Sequence, residues 1–179
     1  MLICSICGMI INEENIRLNK EAFINSEILH CPFCGVGKEY IIENIKPIIE
    51  ETKAENETER KIIDNAMKLE VFNGDFYSRA SQMAKNEEIK KLFKSLSSIE
   101  YTHANVHRKI LGETKLPEIT KIDYTKYDTD EKLKIQANIR EKHAVAYYKK
   151  YIEKIDNINI IKILEALSKV EIEHIYLTK

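Results

Sequence analysis

From residue 57 onward, apolar side chains recur at intervals of three and four, the period of an α-helix with one buried face. The first such stretch predicts a helix over about 57–84. A second helix is predicted to follow Asn86, whose side chain suits an N-cap, and to end at Leu111. Gly112 then fits the position after the helix, where a left-handed backbone is common.

Two further helices are predicted in the second half of the chain. Asp128 or Thr129 caps the third, which continues to about Ile155, and a turn at Asp156 leads into the fourth, which runs to the C-terminus. The segment before Asp128 contains Pro117 and lacks helical periodicity. A long crossover there would place two helix pairs in one four-helix bundle.

The first 45 residues show no helical period and hold too few apolar side chains for an independent core, so they are expected to need a covalent or metal staple. We predict a small antiparallel sheet, with polar turns at about 12–15 and 25–26. Pro47 and the charged stretch that follows it predict a linker. The predicted domains are therefore residues 1–45, a linker over 46–56 and a helical bundle over 57–179.

The helical part contains an internal duplication of acidic and histidine residues. Glu70 precedes the motif Glu100-x-x-His103 by thirty residues, Glu141 precedes Glu171-x-x-His174 by the same interval, and the two sets are 71 residues apart. Residues three apart share a helix face, so each motif presents a carboxylate and an imidazole to one point. Four helices would thus supply the ligands of a dinuclear iron or manganese site.

The same offset of 71 also superimposes other positions without a gap, among them Ala66 on Ala137, Tyr77 on Tyr148 and Leu96 on Leu167. A lone Glu-x-x-His is usually a solvated pair on a charged helix. Two copies in matched apolar registers favour a metal site. Tyr77 and Tyr148, seven residues after the upstream glutamates, either hydrogen-bond the carboxylates or fill the core.

All four cysteines fall into two pairs, and they suggest a second metal site. The pairs are Cys4-x-x-Cys7 and Cys31-x-x-Cys34, each followed by a glycine. Two residues between thiolates allow both to reach one ion from a tight turn, so a tetrathiolate site is favoured over disulfides. The sequence leaves iron and zinc open, with iron favoured by the Cys-Pro-x-Cys-Gly form of the second pair.

Composition sets outer limits on the function. The chain has 179 residues, a net charge of −1 and 44% hydrophobic residues, as expected for a globular protein. The absence of a basic excess argues against a general nucleic-acid binder. No apolar run approaches the length of a membrane span and no signal peptide is evident, so we expect a cytoplasmic protein that does not associate with a membrane.

These motifs together resemble the rubrerythrin family, and in particular reverse rubrerythrins, in which a rubredoxin-like domain precedes a ferritin-like di-iron bundle. The resemblance implies a mainly α fold with a small N-terminal β domain like a rubredoxin or zinc ribbon. It also implies two irons in the bundle and one iron, or zinc, in the cysteine site. Glu70 and Glu141 would be terminal ligands, Glu100 and Glu171 would bridge the metals, and His103 and His174 would each bind one.

The resemblance further implies a peroxide reductase that acts in oxidative-stress defence. Electrons from NAD(P)H would arrive through a flavoprotein or rubredoxin and pass through the cysteine site, and the chain would form a homodimer. The chain departs from rubrerythrins proper near Glu141, where Ala137, Asn138, Ala144 and Val145 supply no additional carboxylate. A ferroxidase or dioxygen-reducing protein is therefore the first alternative, and a zinc ribbon joined to a helical binding module is the second.

The remaining histidines are not expected to bind metal. His107 lies one turn beyond His103, but its counterpart in the duplication is Thr178, so a position at the surface or around the ligands is predicted. His143 should point away from Glu141. His30 borders Cys31.

Overall fold

The computed structural model describes residues 1–15, 23–24 and 27–179, and of residues 23–24 the backbone alone. This part of the chain is mainly helical, with its strands confined to the N-terminal region, which confirms the predicted fold class. The elements are β1 (Leu2–Cys4), β2 (Ile10–Ile11), β3 (Phe23–Ile24), β4 (Glu27–Ile28), β5 (Ile41–Glu43), α1 (Ile48–Glu51), α2 (Glu57–Met83), α3 (Glu87–Leu111), α4 (Asp130–Ile152) and α5 (Ile158–Leu177).

Local capping explains most helix ends. The Asn86 side chain accepts hydrogen bonds from the first turn of α3, and Gly112 closes that helix with φ of 73°. Thr129 caps α4 and Asn157 caps α5 in the same way. α4 ends at Ile152, short of the predicted Ile155, because the last residues tighten into turns while Ile155 itself packs into the core.

The long helices form two hairpins. α2 packs along α3 and α4 along α5, each pair joined by a short connection. The segment between the hairpins runs from the Leu111 end of the bundle to the opposite end, where Asp130 accepts the backbone N–H of Lys85. Along this path the buried Tyr124 ring packs edge-on against Phe76 at a centroid distance of 5.4 Å. An aromatic contact with α2 therefore holds the predicted crossover against the bundle.

The N-terminal region holds a three-stranded antiparallel sheet. β1 is the central strand, with Leu2 opposite Ile11 of β2 and opposite Glu43 of β5. β3 and β4 form a separate antiparallel pair. A polar turn follows β2, in which Asn12 Oδ1 accepts the backbone N–H groups of Glu14 and Asn15. The turn predicted at 25–26 lies outside the described residues.

The sheet region and the bundle share one hydrophobic core. Buried side chains around the cysteines, including Ile6, pack in the same cluster as Ile110 of α3 and Ile163 of α5. α1 falls within the predicted linker, and Ile49 in α1 is 2% exposed. The division of the chain into domains stays a prediction. Among the helices described, none has the length and apolar character needed to cross a membrane.

Candidate metal centres

The four cysteines converge on one buried point between β1, β5 and the bundle. Their side chains are at most 2% exposed and form no disulfide. Sγ of Cys4 lies 3.6 Å from Sγ of Cys34, and Sγ of Cys7 lies 3.7 Å from Sγ of Cys31. A tetrahedral ion with thiolate bonds of about 2.3 Å requires sulfur separations near ~3.8 Å. The four sulfurs therefore fit a single tetrahedral ion.

Two matching turns hold these cysteines. Gly8 N–H donates to the Cys4 carbonyl over 2.8 Å, and Gly35 N–H donates to the Cys31 carbonyl over 3.0 Å. Both glycines have φ near +75°, a left-handed conformation that a side chain disfavours. Burial raises the pKa of Cys34 well above its usual range, so four thiolates at this point require a cation.

The duplicated motifs converge on a second buried cluster. α2 supplies Glu70, α3 supplies Glu100 and His103, and their counterparts come from α4 and α5. Two overlapping sets of four side chains have ligand atoms within 4.8 Å of one another, and Glu100 and Glu171 belong to both sets. The first set is completed by Glu70 and His103, and the second by Glu141 and His174.

Short nitrogen to oxygen distances connect the two histidines with the carboxylates. His103 Nδ1 lies 2.8 Å from Glu171 Oε1, and His174 Nδ1 lies 3.1 Å from Glu100 Oε1. The two imidazole planes are 11° from parallel, with centroids 6.3 Å apart. The Nδ1 atoms therefore face the carboxylates from the two sides of the cluster.

Unpaired buried atoms are concentrated in this cluster, where they offer donors to a cation. In the described part of the chain, most of the buried side-chain oxygens and nitrogens without a well-aligned hydrogen bond lie here. They are one oxygen each of Glu70 and Glu141, both oxygens of Glu100 and Glu171, and Nδ1 of His103 and His174. Buried polar groups normally have partners, so two metal ions fit the donor set well.

The pKa values of the clustered carboxylates also fit a site for cations. Burial and neighbouring carboxylates raise the pKa of Glu100 and of Glu141 to about 8 and raise the pKa of Glu70 well above its usual range. Glu171 differs, because the flanking His103 and His174 outweigh its burial and lower its pKa. Bound cations would remove the repulsion that holds these protons.

Two tyrosines hold the upstream glutamates, and each reaches across to the other half of the duplication. Tyr77 of α2 donates a hydrogen bond to Glu141 Oε1 of α4, and Tyr148 of α4 donates to Glu70 Oε1 of α2. The second oxygen of each glutamate is one of the unpaired atoms. Each tyrosine thus holds one oxygen of a carboxylate and leaves the other oxygen of that carboxylate facing the cluster.

His107 makes one half of the cluster different from the other. Its side chain is completely buried, and Nε2 lies 2.9 Å from the Tyr148 hydroxyl. Burial lowers the pKa of His107 to about 3, so the imidazole is neutral at pH 7. Its counterpart Thr178 instead donates to the His174 backbone carbonyl. His107 is therefore part of the hydrogen-bond network around Glu70 and not a surface residue.

A hydrogen bond joins the two candidate centres. His103 Nε2 lies 2.8 Å from the backbone carbonyl oxygen of Cys34. α3 makes a second link, from Lys109 Nζ to the Cys7 carbonyl at 2.8 Å. Neither contact has a local signal in the sequence, because each joins residues far apart in the chain.

Two other histidines lie away from the cluster. His143 is exposed on α4. His30 Nδ1 lies 3.2 Å from the Gly35 carbonyl and 3.9 Å from Glu173 Oε2, so it borders the cysteine turn as predicted.

Comparison with known families gives a match over the helical part of the chain. The family model described as Rubrerythrin matches residues 61–177, which contain all six carboxylate and histidine residues of the cluster. No curated protein and no solved structure gives a significant match to the chain.

Proposed function

The chain belongs to the rubrerythrin family, and from that premise we propose that it reduces hydrogen peroxide to water at the carboxylate and histidine cluster. The electrons would pass through an iron held by the four cysteines. The observation that carries this proposal is the hydrogen bond between Cys34 and His103, which connects the two centres within one chain.

The ligand atoms of the two centres suit different steps of this reaction. Two irons held by hard carboxylate ligands would supply the two electrons that, with two protons, convert one hydrogen peroxide to two waters. A tetrathiolate iron would supply those electrons one at a time. The carboxylate and imidazole side chains of the cluster are at most 2% exposed, so bulk water has little access to them.

Residues of the protein would set the geometry of this site. Tyr77 and Tyr148 hold Glu141 and Glu70 by one oxygen each, which leaves the other oxygen for a terminal metal bond. Glu100 and Glu171 belong to both sets of four and are suited to bridge two ions. His103 donates through Nε2 to Cys34, which leaves Nδ1 as its ligand atom.

The proposal includes partners. We propose that NAD(P)H supplies electrons through a separate flavoprotein or rubredoxin, and that the chain forms a homodimer. The Cys34 to His103 contact supports a relay that is complete within each chain and does not need the cysteines of a second copy.

An anaerobic titration tests this function. Iron-loaded, fully reduced protein is titrated with hydrogen peroxide while the visible spectrum and the metal content are measured. We expect rapid return of the oxidised iron tetrathiolate band with consumption of the peroxide. A silent spectrum, or zinc in the cysteine site, would contradict the relay.

A dioxygen-reducing or ferroxidase activity is the second candidate. It is favoured by the α4 neighbours of Glu141, because Ala137 and Ala144 are completely buried beside the cluster and carry no carboxylate. Competition between dioxygen and hydrogen peroxide for the reduced protein separates the two activities. Faster oxidation by dioxygen would favour this candidate.

A further inference from the structure

The two imidazoles of the cluster are equivalent in the duplication but differ at Nε2. His103 Nε2 is hydrogen-bonded to the Cys34 carbonyl. Nε2 of His174 has no such bond among the described residues, and His174 instead lines a cavity of about 320 Å³. One side of the cluster is thus closed by the cysteine turn and the other adjoins open space.

The cavity lies where the N-terminal region meets the bundle. Its deep wall is apolar, since Leu96, Ile99 and Val170 are at most 7% exposed. Residues at its mouth are more exposed, with Tyr176 at 64% and Leu177 at 47%. The remaining lining residues are His30, Gly35, Leu92, Ser95, Glu173 and His174.

The equivalent position beside His103 is filled. The offset of 71 places Ile163 at the position of Leu92 and Leu167 at that of Leu96, and both are completely buried in the core shared with the cysteines. The N-terminal region therefore covers one of two similar openings.

We propose that this cavity is the entrance through which a small uncharged oxidant reaches the cluster at its His174 side, whereas electrons enter at the His103 side. The proposal rests on the proposed function and specifies the route of its substrate. The cysteine turn borders this cavity, but the four cysteines are at most 2% exposed, so an oxidant in the cavity has little direct access to thiolates that it would otherwise oxidise.

The chemistry of the walls selects the class of oxidant. Apart from the His174 imidazole the buried wall is aliphatic, and the exposed Glu173 beside it is a carboxylate that would repel an anion. Hydrogen peroxide and dioxygen share the required properties, because both are small and neutral. A bulky organic hydroperoxide would be hindered by Leu92 and Leu96.

A plugging variant tests the entrance. Ser95 is half-buried on α3 and lines the cavity, so Ser95→Trp would fill it. Ser98, three residues further along α3, is exposed and lies outside the cavity wall, so Ser98→Trp is the matched control. Reduced iron-loaded proteins are mixed in a stopped-flow instrument with hydrogen peroxide and, separately, with dioxygen.

We expect Ser95→Trp to slow oxidation by at least tenfold with whichever oxidant reacts, and Ser98→Trp to match the wild type. Equal oxidation rates in all three proteins would overturn the proposal that this cavity is the entrance. If only dioxygen reacts with the wild type, the peroxide function fails while the entrance is still tested by the variants.

Two further measurements test the entrance: the first does not use the Ser95→Trp variant, and the second does not depend on turnover. Leu92→Ala would widen the cavity, and we expect it to speed reaction with cumene hydroperoxide at least threefold; no change would count against the entrance. Crystals of the metal-free proteins pressurised with xenon should show density beside His174 in the wild type and Ser98→Trp, but not in Ser95→Trp. A cavity that takes up no xenon in the wild type would refute the proposal even if the peroxide function held.

Discussion

The Cys34 carbonyl oxygen accepts a hydrogen bond from Nε2 of His103 over 2.8 Å, which joins the cysteine turn to the helical cluster. Because Nε2 is engaged in this bond, Nδ1 is the ring nitrogen that faces the carboxylates. The position of one turn in the N-terminal region therefore fixes the orientation of a predicted metal ligand on α3.

Gly35→Ala should disturb this contact. Gly35 has φ of +76°, and a Cβ there would lie 2.9 Å from Val170 Cγ1. Gly112 has nearly the same φ, +73°, but a Cβ there would meet nothing within 4 Å. Gly112→Ala is thus expected to cost about 1 kcal/mol from backbone strain alone, and Gly35→Ala distinctly more. Denaturant unfolding of both variants measures the difference.

The same pair of variants tests the link to His103. Displacement of the Gly35 turn from Val170 should move the Cys34 carbonyl, so electron transfer between the centres should slow in Gly35→Ala and remain normal in Gly112→Ala. Stopped-flow recording of the tetrathiolate band gives the rate. Equal stability losses with equal rates would show that the close approach to Val170 has no such role.

Tyr148→Phe should destabilise the metal-free protein more than Tyr77→Phe. Loss of the Tyr148 hydroxyl leaves both Glu70 and His107 without that partner, whereas loss of the Tyr77 hydroxyl affects Glu141 alone. Each newly unsatisfied buried group costs about 1–3 kcal/mol. We therefore expect the two variants to differ by roughly that amount in unfolding free energy. Equal losses would mean that the His107 contact contributes little.

The sequence predicted the parts of this structure that depend on local chemistry. Asn86 and Gly112 mark the ends of α3 through capping alone, and the spacing of Glu100 and His103 follows from helix geometry. The fold class could therefore be predicted before any tertiary contact was known. The assignment of these side chains as metal ligands stays a prediction.

Contacts between distant segments could not be predicted in the same way. The Cys34 to His103 bond depends on how the N-terminal region packs on α3, and no periodicity encodes that arrangement. The position of His107 beside the cluster could not be predicted from the duplication, because its counterpart is Thr178. For the tyrosines the sequence allows either a hydrogen bond to a carboxylate or a place in the core, and the crossed pairing of Tyr77 with Glu141 appears only in three dimensions.

The metal-free protein should lose stability as the pH rises from about 4.5 to about 8. Glu100 and Glu141 have ordinary values of 4.5 and folded values of about 8. Between these limits the folded state holds more protons than the unfolded state, so the unfolding free energy falls with increasing pH. The lowered pKa of Glu171 opposes this trend only at lower pH.

Bound metal should abolish that dependence, because cations replace the protons. Thermal unfolding of metal-free and metal-loaded protein at several pH values in this range measures the effect. A flat profile for the metal-free protein would show that its carboxylates are already ionised or exposed to water.

Cys31→Ser should separate the two centres functionally. Cys31 is completely buried in the sulfur cluster, with Sγ 3.7 Å from that of Cys7, so a hydroxyl there removes one of four thiolates. The bundle residues are unchanged, and we expect it to bind two irons still. Donor-linked peroxide reduction should fall at least a hundredfold, whereas a single turnover of chemically reduced protein should persist.

Ser5→Ala is the matched control for this variant, since Ser5 is a buried residue of the other cysteine turn and leaves all four thiolates in place. It should keep both the tetrathiolate band and donor-linked turnover. If Cys31→Ser retained full donor-linked activity, electrons would reach the cluster without the cysteine site. The hydrogen bond between Cys34 and His103 would then serve only to orient the imidazole. If that bond were part of the required electron route, loss of the cysteine site would have lowered the rate of donor-linked turnover.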